Sequence, residues 1–119
     1  MATIENEKDL SVVRCSEDEL LFLHQAFSEI CYGDKSLQSE LAKDYSSEEL
    51  HAEFEKFKKL YSDAKIENFT VPIKFTATAR QINLYKKAVM LALKEFEGEV
   101  QTRTGVKLEN AEALLSSLK

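Results

Sequence analysis

Three stretches of the sequence begin with a serine or threonine, carry a glutamate or glutamine three residues later, and continue into an apolar stripe. The pairs are Ser16 with Glu19, Ser46 with Glu49, and Thr78 with Gln81. In this capping-box pattern the hydroxyl accepts a hydrogen bond from the third backbone N–H of a helix, and the longer side chain accepts one from the N-cap N–H. The pattern therefore predicts three long helices with defined starts.

Apolar residues three and four positions apart follow each start, as expected for helices with one buried face. Shorter helices are predicted over residues 36–44 and 108–118, and Gly33 and Gly105 are expected to end helices in left-handed geometry. Three glycines and one proline are too few for an all-β fold rich in tight turns. We predict an all-α single-domain bundle of about five or six helices. The three long stripes are Leu20, Leu23, Phe27 and Ile30; Leu50, Phe54, Phe57 and Tyr61; and Ile82, Tyr85, Val89, Ala92, Leu93 and Phe96.

The single domain is predicted to have four segments. Residues 1–12 are expected to form a disordered arm, 13–63 a first helical unit, 64–75 an extended connector and 76–119 a second helical unit. The connector is predicted because apolar residues alternate with Pro72 and Lys74, and proline confines an extended segment to a sheet edge or an irregular connection.

The two helical units resemble each other in sequence pattern. SEDELLFLHQAF overlays TARQINLYKKAV, which places Leu20 on Ile82 and Ala26 on Ala88. One interpretation is a duplication of a three-helix unit. The other is that any two amphipathic helical hairpins share such a pattern, and the sequence leaves both open.

Charge is distributed unevenly between the halves. Residues 1–68 carry 16 acidic and eight basic side chains, and residues 69–119 carry five acidic and eight basic ones, within a net charge of -5. A surface with this acidic balance repels nucleic acid and attracts a basic partner. We therefore predict a partner-binding surface for a basic protein, against the alternative of an ordinary charged helix face. Its residues are Asp44, Tyr45, Glu48, Glu49, Glu53, Glu55 and Tyr61.

Two stretches fit a helix-turn-helix, LAKDYSSEELHAEF and VQTRTGVKLENAEALL. A recognition helix needs basic or amide side chains against phosphate and base edges. The second helix presents Glu48, Glu49, Glu53 and Glu55 in one case, and Glu109 and Glu112 in the other. Nucleic acid is therefore an unfavourable partner, and a helix-turn-helix-derived regulator is kept only as an alternative function.

No residue pattern indicates catalysis, a cofactor or a metal. His24 and His51 lack the spacing of a ligand box, and there is no phosphate loop. Cys15 and Cys31 are expected to stay unpaired, because a helical rise would separate them by about 24 Å. The sequence has neither a signal peptide nor a membrane span, which predicts a cytoplasmic protein.

Two resemblances add to this interpretation. The C-terminal third resembles small helical bacterial proteins without an assigned activity, in which a long helix ends at a glycine and a Thr-Arg-x-Gly turn leads into a Glu-rich helix. The residues that carry this likeness are Ala88, Ala92, Leu93, Glu95, Gly98, Thr102, Arg103, Gly105, Glu112, Leu114 and Leu115. In size, charge and class, the chain is similar to the small acidic immunity proteins of bacterial toxin systems.

The predicted function is therefore that of a non-enzymatic protein that binds and neutralises a basic, nuclease-type toxin through an acidic helical face. Carboxylates would take the place of phosphates and would speed association. A structural module is the remaining alternative, in which the acidic half of one copy meets the basic half of another.

Overall fold

The computed structural model describes residues 3–7 and 10–118. Six α-helices and three strands form within those residues, so the predicted helical bundle is confirmed, with a small antiparallel sheet added to it. The elements, in chain order, are β1 (Thr3–Glu7), β2 (Leu10–Cys15), α1 (Glu17–Ser28), a π-helical turn (Glu29–Gly33), α2 (Lys35–Leu41), α3 (Ser47–Ile66), β3 (Ile73–Thr78), α4 (Ala79–Glu95), α5 (Val100–Thr104) and α6 (Leu108–Leu118).

All three predicted capping boxes start a long helix, and each forms both of its reciprocal hydrogen bonds. At α1 the Glu19 backbone N–H donates to Ser16 Oγ at 3.2 Å, and the Ser16 N–H donates to Glu19 Oε1 at 2.8 Å. Short-range chemistry alone therefore determines where α1, α3 and α4 begin.

The sheet differs most from the sequence prediction. Its strand order is β1-β2-β3, and β2 pairs antiparallel with both neighbours. The disordered arm predicted for residues 1–12 lies partly outside the described residues; where it is described, it is wrong, because β1 and the start of β2 are strands. The pairing is stabilised by burial of Val13, which is 1 % exposed.

The extended connector also lies later in the chain than predicted. Helix α3 continues to Ile66, and the strand runs over Ile73–Thr78 rather than ending at residue 75. Strand β3 is at one edge of the sheet, directly after Pro72. An edge is the position in which the missing N–H of a preceding proline is tolerated.

The burial pattern repeats between the two halves. Helices α1 and α4 each follow a strand that contributes to the sheet. The residues buried in α1 and the π-helical turn match residues buried in α4 at a constant offset along the chain. The matched pairs are Leu20 with Ile82, Phe22 with Leu84, Leu23 with Tyr85, Ala26 with Ala88, Phe27 with Val89, and Ile30 with Ala92.

The same offset relates Val13 to Phe75, and these two residues lie directly opposite each other in the β2–β3 pair. When two opposed residues of an antiparallel pair occupy equivalent positions in the two halves, an approximate two-fold axis passes between them. The helices follow this symmetry, since α2 packs on α4 and α5 packs on α1. Each half therefore places its short helix on the long helix of the other half.

The two glycines predicted to end helices behave differently. Gly105 caps α5 with a φ of 77°, in the left-handed region as predicted. The helical run ends at Gly33 as predicted, but Gly33 does not adopt left-handed geometry. A Cβ at Gly33 would lie 2.3 Å from Glu29 Oε2, and that oxygen accepts a hydrogen bond from Arg103 at 2.9 Å. A side chain at position 33 would therefore displace the Glu29 carboxylate from this position.

Candidate functional site

The structure divides the residues of the predicted acidic surface among four environments. Asp44, Tyr45 and Glu49 face the beginning of α4, Glu53 is buried, and Glu48 and Glu55 are exposed on α3. Tyr61 packs among other aromatic rings. The seven residues therefore do not form one continuous face.

Two basic residues of α4 neutralise the first group. Arg80 binds both carboxylate oxygens of Glu49, with its Nε 2.7 Å from Oε2, and Lys87 Nζ lies 2.6 Å from Asp44 Oδ2. The guanidinium also stacks on the Tyr45 ring, with Cζ 4.7 Å from the ring centroid. Its hydrogen bonds lower the pKa of Glu49 to about 2, and those of Lys87 lower the pKa of Asp44. Acidic and basic halves thus meet here within one molecule.

Glu53 belongs to a buried polar network instead of the surface. Its carboxylate accepts hydrogen bonds from the Tyr85 hydroxyl at 2.5 Å and from Gln81 Nε2 at 2.8 Å, and Lys56 Nζ lies 3.0 Å away. Lys56 also donates to the Tyr85 hydroxyl oxygen. Burial, followed by the charge of Glu53, raises the pKa of Tyr85. The side chain of Glu53 is 7 % exposed and cannot touch a partner.

A continuous aromatic row runs along α1, the π-helical turn and α3, from half-buried rings to the buried ring of Phe54 and the exposed ring of Tyr32. Neighbouring ring centroids lie 5.2 to 5.9 Å apart along it. Tyr32 is 67 % exposed, and the turn that follows α3 brings the last ring onto the row. The row consists, in spatial order, of His51, Tyr32, Phe54, His24, Tyr61 and Phe69.

His24 lies at the centre of the row, stacked between Phe54 and Tyr61 with interplanar angles of 26° and 23°. Its Nδ1 is buried and has no hydrogen-bond partner among the described residues. Burial, with a smaller effect of Lys58, lowers the pKa of His24, which keeps the ring neutral at pH 7. His24 therefore serves as a stacking ring.

The backbone at the far end of the row is strained. Asn68 and Phe69 have φ values of 53° and 57°, and a left-handed conformation is unfavourable for a phenylalanine. This turn places the Phe69 ring 5.5 Å from Tyr61, centroid to centroid. Nearby Val71 and Ile66 are also exposed, by 54 % and 78 %.

Carboxylates lie near Tyr61 of the row and near Cys31, which precedes Tyr32 in the chain. Burial raises the pKa of Tyr61, and the charges of Glu17 and Asp18 raise it further. Burial likewise raises the pKa of Cys31, with a smaller effect of Glu55. Lys58 Nζ lies 5.9 Å from the Phe54 centroid, within range of a cation–π interaction. The row thus already accepts one cation from its own chain.

A small cavity lies beside the row, between the π-helical turn, α2 and the start of α3. Its volume is about 200 Å³. It adjoins the aromatic row at His51, and Cys31 precedes Tyr32 in the chain. The lining residues are Ile30, Cys31, Gln38, Ser39, Ala42, Ser47, Leu50 and His51.

Tyr32, His24 and His51 are not among the partner-binding residues predicted from the sequence. The signal was present, because His24 flanks the α1 stripe and His51 follows Leu50 on the α3 stripe. Polar aromatic residues beside the apolar stripes of two neighbouring helices indicate that rings line the groove between those helices.

The cysteine thiols are both unpaired, as predicted. Burial, with nearby Glu19 and Glu55 as lesser causes, raises the pKa of Cys15 from 9.0 to about 12 and that of Cys31 to about 11. A raised pKa in the folded state stabilises the fold fully below pH 9, and this stabilisation is lost as the pH rises towards 12. We expect the free energy of unfolding, measured by urea titration, to decrease between pH 9 and 12.

A Cys15→Ala, Cys31→Ala double variant provides the control for this dependence. It should lose less stability than the native chain over the same pH interval, because the linked thiols are absent. An equal loss in both proteins would show that the thiols do not contribute.

The helix-turn-helix interpretation gains no support from side-chain placement. Arg103, the one arginine in VQTRTGVKLENAEALL, binds Glu29 at 2.9 Å, lies 3.6 Å from Asp34, and stacks on Phe96. Glu109 and Glu112 are exposed on α6. The described part of α6 therefore offers phosphate an acidic surface.

Among the described residues, no group of three or more His, Cys, Asp or Glu side chains could hold a metal ion. None of the described helices is long and apolar enough to cross a membrane. No protein-family model, curated protein or solved structure matches the chain.

Proposed function

We propose that the chain is a non-enzymatic protein that binds a basic partner protein through the aromatic row and the carboxylates beside it. The observation that carries the proposal is the row itself, with Tyr32 two-thirds exposed at the surface. Tyrosine is enriched at binding hot spots because it supplies a large contact area at little entropic cost.

The charges near the row favour a cationic partner. Glu48 and Glu55 are exposed on α3 and have no ion pair among the described residues, in contrast to Asp44 and Glu49. Arginine and lysine side chains stack on aromatic faces and pair with carboxylates, and a surface that offers both suits a basic patch. Of the residues predicted from sequence, the proposal keeps Glu48, Glu55 and Tyr61.

The most concrete form of this function is an immunity protein that covers the cleft of a nuclease-type toxin in the cytoplasm. It rests on the resemblance in size, charge and class, and on the chemistry of such a cleft. A surface that binds phosphates is basic, so carboxylates steer it during approach and rings anchor it on contact.

A matched pair of variants tests this surface. Tyr32→Ala with Glu55→Lys should lower the affinity for the basic partner by about 100-fold, since one aromatic anchor and one favourable charge are lost. Met90→Ala with Glu95→Lys makes the same kinds of change on α4, where Met90 is 53 % exposed, and should leave affinity unchanged. Capture from the cells that express the gene, at low and moderate salt, identifies the partner by mass spectrometry.

The activity of the captured partner shows whether binding inhibits it. A basic protein whose enzymatic activity is lost in a stoichiometric complex supports the immunity function. Equal capture by both variants would show that the surface is placed wrongly. Self-association of the purified chain, measured by its mass in solution, would support a structural module, and a salt-dependent mobility shift of duplex DNA would support a regulator.

A further inference from the structure

The cavity beside the aromatic row has a different chemistry from the row. Although the surrounding surface is rich in carboxylates and lysines, no described Asp, Glu, Lys or Arg lines the cavity. Ile30, Leu50, Ala42 and Cys31 provide an apolar surface, and the remaining lining residues are uncharged or, at His51, an imidazole. A lysine or arginine side chain would enter it without a counter-charge.

We propose that this cavity is a binding pocket for one tyrosine side chain of the partner protein, next to the aromatic row. The inference rests on the proposed function, because it names the anchoring group of that same partner. The aromatic ring would fill the apolar part, and its hydroxyl would lie among Gln38, Ser39, Ser47 and His51.

The volume suits a single ring. About 200 Å³ corresponds to roughly six or seven water molecules at their share of liquid volume. An aromatic side chain that displaces them buries roughly 150–250 Å² of its own surface. A buried aromatic anchor surrounded by a rim of other contacts is the usual arrangement of an interface hot spot.

The hydrogen bonds of His51 favour a ligand with a hydroxyl group. His51 Nδ1 lies 2.9 Å from the Ser47 carbonyl oxygen, which can only accept, so in the neutral ring the proton is on Nδ1. His51 Nε2 is then an acceptor. A phenol hydroxyl can donate to such an acceptor, whereas a phenylalanine ring has no group that could form this hydrogen bond.

The test uses p-cresol, the side-chain analogue of tyrosine, in a two-dimensional NMR titration of the full chain. Shift changes should be confined to backbone amides around the cavity, including Ser39 and His51. An Ala42→Leu variant, in which the added side chain fills the cavity, should bind p-cresol at least tenfold more weakly. A Met90→Leu variant on α4 should bind it as the native chain does. Methylguanidinium should instead shift signals along the aromatic row.

The outcomes separate this inference from the proposed function. If p-cresol causes no local shifts, or if Ala42→Leu leaves its binding or the capture of the partner unchanged, the binding-pocket proposal is overturned. Loss of the partner in the Tyr32→Ala, Glu55→Lys variant would still support the proposed function in that case. Circular dichroism of Ala42→Leu verifies that the fold is intact, and a Ser39→Leu variant, which narrows the same cavity, replaces it if it is not.

Discussion

Replacing Glu53 with leucine is expected to lower the free energy of unfolding by about 3–5 kcal/mol, the range for breaking a buried charged pair. The substitution is close in volume, so the loss comes from polar groups and not from a cavity. Tyr85, which is fully buried, loses the acceptor for its hydroxyl, and Gln81 and Lys56 lose theirs. Because 26 % of the Lys56 side chain is exposed, its ammonium can reach water, which favours the lower end of the range. Urea unfolding at pH 7, followed by circular dichroism, measures the change.

Two further variants determine whether the network itself is responsible. Lys59→Met breaks an ion pair with Asp63 whose side chains are 80 % and 62 % exposed, and should change stability by about 0–1 kcal/mol. A triple variant, Glu53→Leu with Lys56→Met and Tyr85→Phe, removes every charged member together and should recover most of the loss. If Glu53→Leu is as stable as the native chain, the network has no such role.

The role of Glu53 could have been predicted from the sequence. Glu53 lies three residues after Leu50 and four before Phe57, so helical spacing places its carboxylate on the apolar stripe of α3. Its counter-groups could not be predicted in the same way, since Gln81 and Tyr85 come from α4 and are distant in sequence. Local periodicity shows which carboxylates turn inward, but it does not show which helix meets them.

The same distinction explains which parts of the fold were predicted correctly. The starts of α1, α3 and α4 depend on residues three positions apart, and each of them begins where the sequence indicates. The sheet depends on pairing between β2 and β3, which lie on either side of three helices. The neutralisation of Asp44 and Glu49 likewise depends on α4. Long-range pairing therefore accounts for the unpredicted β2–β3 pair and for the unpredicted ion pairs of Asp44 and Glu49.

The two halves of the chain are expected to fold only together, because each packs its short helix on the long helix of the other. If the chain is divided between Thr70 and Val71, both exposed, neither fragment 1–70 nor fragment 71–119 should fold alone. Strand β3 would lose β2, and each short helix would lose the long helix on which it packs. Isolated helices of these lengths are marginal in water. Far-ultraviolet circular dichroism should show little helix in either fragment, and native helicity should return when the two are mixed in equal amounts.

A Tyr85→Ala change in the second fragment is the control for this experiment. Tyr85 is fully buried, and its ring meets Phe27 and Phe57 of the first fragment at centroid distances of 6.2 and 5.2 Å. The altered fragment should fail to restore helicity. Cooperative unfolding of either fragment by itself would show that the two halves do not depend on each other for folding.

The buried network also determines which fragments should associate. The approximate two-fold axis would allow two copies of the first fragment to pair with each other, but Leu23 would then occupy the place of Tyr85. Glu53 would face a leucine and would lose the hydrogen bonds that Tyr85 and Gln81 donate to it, which is unfavourable for a buried carboxylate. Equal mixtures should therefore form the mixed pair in preference to a pair of first fragments, and Glu53→Leu in the first fragment should weaken that preference. Native mass spectrometry of the mixtures distinguishes the two species directly.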